Sequence, residues 1–151
     1  MAGIADPGYN YLKPETGSER MTGETDLKKL IAEMHPALGE TPYVFCTVES
    51  KRVSQLPFTP LGAFREAEGV TLIATEPQAR DAKLQFDSTW ACITLTVHSS
   101  LLAVGFLAAV LAALAQAGIS VNPISGYYHD HLFVPWESRR KAMDVLETVA
   151  R

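Results

Sequence analysis

The sequence predicts an α+β fold in which helices cover one face of an antiparallel sheet. Three observations support this. Apolar residues recur at helical spacing in some segments and at strand spacing in others. The segments follow in the order α-β-β-α-β-α-β-β-α, which reads as an αββα unit repeated around a central strand. With 47% hydrophobic residues over 151 positions, the chain can bury a real core.

Leu27, Leu30, Ile31 and Met34 form one stripe of a short first helix, which Pro36 stops. Tyr43 to Val48 is dense in aromatic and β-branched residues and predicts a strand. Val70 to Thr75 predicts the next strand, preceded by "AFREAEG", in which Gly69 suits a tight turn and Arg65, Glu66 and Glu68 read as a solvated, partly ion-paired surface. In "EPQARDAKL", Pro77 sits where a first helical turn tolerates it. Trp90 to Val97 alternates, with Ala91, Ile93, Leu95 and Val97 on one side and Cys92, Thr94 and Thr96 on the other.

A long apolar helix is expected over 101–117, entered through Ser99-Ser100 and ended by Gly118. Leu107, Leu111 and Leu114 mark one stripe on it and Leu102, Phe106 and Val110 another, so one stripe is expected to cover its own sheet and the other a second layer. Strands follow at Ser120 to Ser125 and His131 to Pro135. A last helix places Ala142, Val145, Leu146 and Val149 on one face.

That order makes the second copy a ferredoxin-like βαββαβ unit lacking only its final strand, while the first copy lacks an initial one. Two such units, at residues 23–86 and 87–151, are expected to complete or pack against one another. Residues 1–22 are rich in Pro, Gly, Ser and Thr and read as a flexible tail. They lack the basic and apolar regions of a secretory signal.

A net charge of −4, from 13 basic and 17 acidic residues without a basic cluster, offers no footprint for nucleic acid. The apolar run from Leu101 falls short of the ~20 residues a membrane span needs. Cys46 and Cys92 stand apart in apolar runs without CxxC spacing, which reads as buried reduced thiols in a cytoplasmic protein. A nucleophile elbow, P-loop, Rossmann glycine motif and HExxH are all missing, so no catalytic residue is assigned.

The polar residues that invite a function lie around the two ends of the apolar helix. Backbone N–H groups at its start favour an anion such as a carboxylate, with the Ser99 and Ser100 hydroxyls as further donors; the same serines also read simply as helix caps. Asn122 and Asp130 offer side-chain acceptors, and Val97, Leu101 and Val121 supply an apolar shell. In "GYYHDHLFVP", His129 and His131 share one side of an extended chain and Asp130 the other. Two readings stay open: a metal pair, or a polar β-β connection in which Tyr127 and Tyr128 flank a cleft.

The strings "YVFCTV", "AFREAEGVTLIAT" and "ACITLTVHSSLLAVGFLAAVLAALAQAGISVNPISGYYHDHLFVP" resemble the small tandem ACT-domain proteins of bacteria and are similar to the ACT pairs of CASTOR-type arginine sensors. The resemblance covers about residues 23 to 150. It implies the ACT fold and a non-catalytic regulatory protein, without cofactor or resident metal, binding an amino acid or related metabolite where ACT units meet, with a homodimer as the expected assembly. It also implies that His98 and Ser100 stand where the family's strand-to-helix loop presents a histidine and a polar side chain. Ser120 occupies the place of the usual asparagine, and Asn122 lies two residues further on. Leu102-Ala103 replaces the usual Pro-Gly of that loop. Two other classes compete with this reading: a small enzyme using His98, His129 and His131 in acid-base or metal chemistry, and a pure oligomerisation module.

Overall fold

The computed structural model describes residues 22–151; the tail expected over 1–22 lies, apart from Thr22, outside them. Six strands form one antiparallel sheet. In chain order they are β1 (Pro36–Val48), β2 (Gly62–Arg65), β3 (Val70–Thr75), β4 (Trp90–Leu95), β5 (Asn122–Ser125) and β6 (Asp130–Pro135), and in space they run β2-β3-β1-β4-β6-β5. The helices are α1 (Leu27–Glu33), the single turn α2 (Ser50–Val53), α3 (Glu76–Asp81), α4 (Phe106–Gln116) and α5 (Arg139–Val149).

The strand order explains how two small units share one sheet. The ferredoxin-like pattern needs a fourth strand beside the first. β1, β2 and β3 obtain it from β4, while β4, β5 and β6 obtain it from β1. β1 is long enough for both duties: Tyr43 to Val48 pairs with β3, and Pro36 to Leu38 together with Pro42 and Tyr43 pairs with β4. Between Leu38 and Pro42 three residues of β1 lie opposite the single Cys92 of β4, a bulge that bends the strand at the seam.

This corrects the sequence reading in two places. The first unit has its initial strand: β1, which begins at Pro36 rather than Tyr43, is followed by the single turn α2 and then by β2 and β3, so it opens a βαββα order. Its second strand, β2, lies in "GAFR", a stretch expected to be a turn. β2 went unread because its four residues are largely exposed and carry no alternating apolar signal.

Strand alternation sorts the side chains onto two faces. On the helix-covered face, Ala91, Ile93 and Leu95 of β4 and Leu132 and Val134 of β6 pack with Leu30, Phe106, Val110, Leu114 and Leu146. On the same face, Val44, Cys46, Val70 and Leu72 pack with Ala79 and Leu84 beneath α3. α4 turns Phe106, Val110 and Leu114 fully inward, while Leu107 and Leu111 pack at the margin of the same core. The two expected stripes therefore merge into one buried band, and Leu102 is not part of it. α3 starts with a full capping box between Thr75 and Gln78, and Asp26 caps α1.

The opposite face is also buried, because the sheet curls until its edge strands β2 and β5 border the same hollows. Its floor is aromatic. Phe133 meets Tyr43 and Phe45 edge-on at 5.8 and 5.3 Å, and Phe45 meets Trp90 at 5.9 Å. Cys92 and Ile73 complete this second core.

Candidate functional site

β4 ends at Leu95, and the chain runs through Val97 to Ser100 before the turn 101–105 leads into α4. The helix starts at Phe106, five residues later than expected, so neither Ser99 nor Ser100 caps it. Its N-cap is Gly105, at φ +90°, with no side-chain cap among the described residues. A left-handed residue turns the chain sharply, and glycine adopts that conformation without steric cost. The first backbone N–H groups of α4 are thus left unsatisfied by the helix itself.

Ser99 and Ser100 have other partners. The Ser99 hydroxyl donates to Asp130 Oδ2 at 2.7 Å, and the Ser125 hydroxyl donates to Oδ1 of the same carboxylate at 2.6 Å. Asp130 is 5% exposed. Ser100 Oγ accepts from Leu102 N, and the Ser100 N–H donates to the Glu24 carbonyl. The segment at Gly23 and Glu24 lies so close to this backbone that a Cβ on Gly23 would stand 2.5 Å from Ser100 N.

These groups enclose a notch of about 170 Å³ between Ser99, Ser100 and Leu101 on one side, Gly105 to Ala108 at the helix entrance, and Ser125 and Asp130 on the β5–β6 hairpin. Beside it, Leu101, Leu102 and Val104 are exposed, the last two by 85% and 84%.

Of the residues singled out in the sequence, Ser99, Ser100, Leu101 and Asp130 line this notch. Ser120 and Asn122 are exposed and line none of the hollows described here, and Val121 packs at the margin of the helix-side core. His98, Tyr127 and His129 fall on the other side of the sheet. The His98 ring lies 5.2 Å from Tyr128 and 6.5 Å from Tyr127, and Tyr127 and His129 line a separate hollow on the inner face.

Strand alternation produces this split as expected: Asp130 points to the notch while His129 and His131 point away from it. Ser125 was missed in the sequence. The usable signal was the hairpin itself, since a connection closed by Gly126 N–H to the His129 carbonyl sets Ser125 opposite Asp130.

His131 Nδ1 lies 2.9 Å from Thr94 Oγ1, and burial, aided by the nearby His129, pushes its pKa below the ordinary histidine value. His129 Nδ1 lies 3.4 Å from the Val97 carbonyl. Among the described residues no three His, Cys, Asp or Glu side chains are grouped to hold a metal ion. Nor, among them, is any helix long and apolar enough to cross a membrane.

Comparison with known proteins agrees with this architecture. Two ACT-domain family models match in tandem, over residues 22–91 and 85–148. A structure of a protein of unknown function from Vibrio cholerae, described as a possible transport protein, is 42% identical; the match covers 83% of this chain and 96% of that one, with a TM-score of 0.73. An Agrobacterium tumefaciens protein is similar at 15% identity, 76% and 87% coverage and a TM-score of 0.63. The regulatory subunit of aspartate kinase from Thermus thermophilus shares the fold at 9% identity, 80% and 99% coverage and a TM-score of 0.56. No match is found among curated proteins.

Proposed function

The chain belongs to the ACT-domain family as a tandem pair of ACT domains, and from that footing we propose that it is a non-catalytic regulatory module that takes a free α-amino acid in the notch at the entrance of α4. One observation carries the reading: a buried carboxylate, Asp130, and an uncapped helix amino terminus border the same small hollow. A zwitterion matches that pair. Its carboxylate meets the partial positive charge of the helix N–H groups, and its ammonium meets Asp130, each of whose oxygens keeps accepting capacity beyond one serine hydroxyl. The relation of fold to the aspartate kinase regulatory subunit is in keeping with such a role.

The exposed Leu101, Leu102 and Val104 are the surface through which a second copy closes the notch, so the working form is a homodimer with ligand held where ACT units meet. The thiols of Cys46 and Cys92 are both buried, in keeping with a reducing, cytoplasmic setting. The test is a thermal-shift and calorimetric screen of the common amino acids. One or a few should raise the melting temperature, as a ligand of the native state must, and Asp130→Asn should remove the shift. A ligand that stabilises the Asp130→Asn protein equally, or no shift with any amino acid, would end this reading.

A further inference from the structure

We propose that the concave inner face of the sheet holds a second binding site, separate from the notch, for a neutral, flat aromatic molecule carrying one hydrogen-bonding group. The cavity there measures about 390 Å³, within the range of small-molecule sites. Its floor is Ile73, Cys92 and Phe133, all nearly inaccessible. Its walls come from the two sheet edges, Gly62 on β2 and Ile124 on β5, which the curl brings to either side of the same space.

Gly62 leaves room at one edge. A Cβ on Gly62 would stand 3.4 Å from Ile73 Cδ1, so the missing side chain there leaves space beside the lining, whereas a Cβ on Gly126 would crowd the His129 carbonyl at 3.0 Å and approach His131 Nε2 at 3.5 Å, so glycine there lets the hairpin wall close against the cavity. Among the described residues no Asp, Glu, Lys or Arg lines the cavity, which disfavours an ion. Polarity is concentrated on one wall. His131 uses Nδ1 toward Thr94 and turns Nε2 toward Gly126, where it can meet one donor or acceptor of a guest.

The mouth selects for flatness. Tyr127 and Tyr128 lie 5.0 Å apart at 76°, with His98 beside them, and both tyrosines are exposed. Exposed rings at the mouth of an apolar cavity offer stacking and edge contacts to a planar ring. Both tyrosines lie outside the inner core, which Phe133, Tyr43, Phe45 and Trp90 build.

The test is titration of the full chain with indole, followed through the methyl signals of Ile73 and Ile124 and the ring signals of His131. These should shift saturably, while the methyls of Leu102 and Val104 beside the notch stay still. Gly62→Leu, which fills the cavity from one edge, should weaken binding about tenfold or more. Should that variant fail to fold, Ile124→Trp fills it from the other edge and should do the same. Unmoved Ile73 and Ile124 signals up to the solubility of indole, an affinity unchanged by the filling variant, or cyclohexanol binding as tightly as indole would each overturn the proposal.

Discussion

Ser99 and Asp130, thirty-one residues apart, meet through a 2.7 Å hydrogen bond that ties the exit of β4 to the start of β6. With Ser125 on the other carboxylate oxygen, this small network joins three segments around the notch. Removing the acceptor strands two hydroxyls, and a partly buried polar group left without its partner costs about 1–3 kcal/mol. Asp130→Ala is therefore expected to lower stability in urea denaturation by roughly that amount. Adding Ser99→Ala to it should cost less than the two single changes together, because they remove the same bond.

Gly105 is expected to tolerate alanine poorly. At φ +90° an L side chain is strained, and among the described residues a Cβ there would touch only Leu27 Cδ2, at 3.6 Å, so the cost is conformational rather than a clash. Gly105→Ala should lower unfolding free energy by about 1–2 kcal/mol, with Gly105→Asn less harmful because asparagine enters left-handed conformations more readily. Denaturant midpoints of the two variants measure the difference.

His131 gives the protein a pH dependence of stability with a definite sign. Its folded pKa is depressed, chiefly by burial, from the ordinary 6.5, so the unfolded chain binds the proton more tightly. The stabilising contribution is full above about pH 6.5 and is lost as pH falls through the folded value. Melting temperature should therefore decline on acidification below that point, and His131→Gln should flatten the decline. A His131→Gln profile parallel to wild type would show that other groups cause it.

The proposed dimer contact predicts a charge-sensitive assembly. Leu102 is 85% exposed and absent from both helix-side cores, so Leu102→Asp should leave folding intact. Sedimentation should show a dimer for wild type and a monomer for the variant, and any amino-acid affinity should fall with it.

Much of the fold was legible because its signals are periodic. The stripes of α1 and α5 follow directly from burial of one face, and the alternation of β4 sends Ala91, Ile93 and Leu95 to the helices and Cys92 to the inner core, both faces being buried. β2 was not legible, since a short exposed edge strand lacks that pattern. The start of α4 was misread because Ser99-Ser100 resembles a cap in sequence, whereas the serine hydroxyls are engaged elsewhere and Gly105 makes the turn. As for the site, opposite faces for Asp130 and its flanking histidines followed from strand geometry. The partnership of Ser125 with Asp130 and the curl that forms the inner cavity are long-range outcomes of register and twist, which local spacing does not encode.

The divided duty of β1 has a thermodynamic corollary. Each ACT domain lends its opening strand to its neighbour, an exchange of the kind that usually joins separate protomers but here is closed within one chain. Neither half owns a finished sheet, so scission between residues 86 and 87 should yield fragments that fold only on recombining, and the intact pair should melt in a single transition.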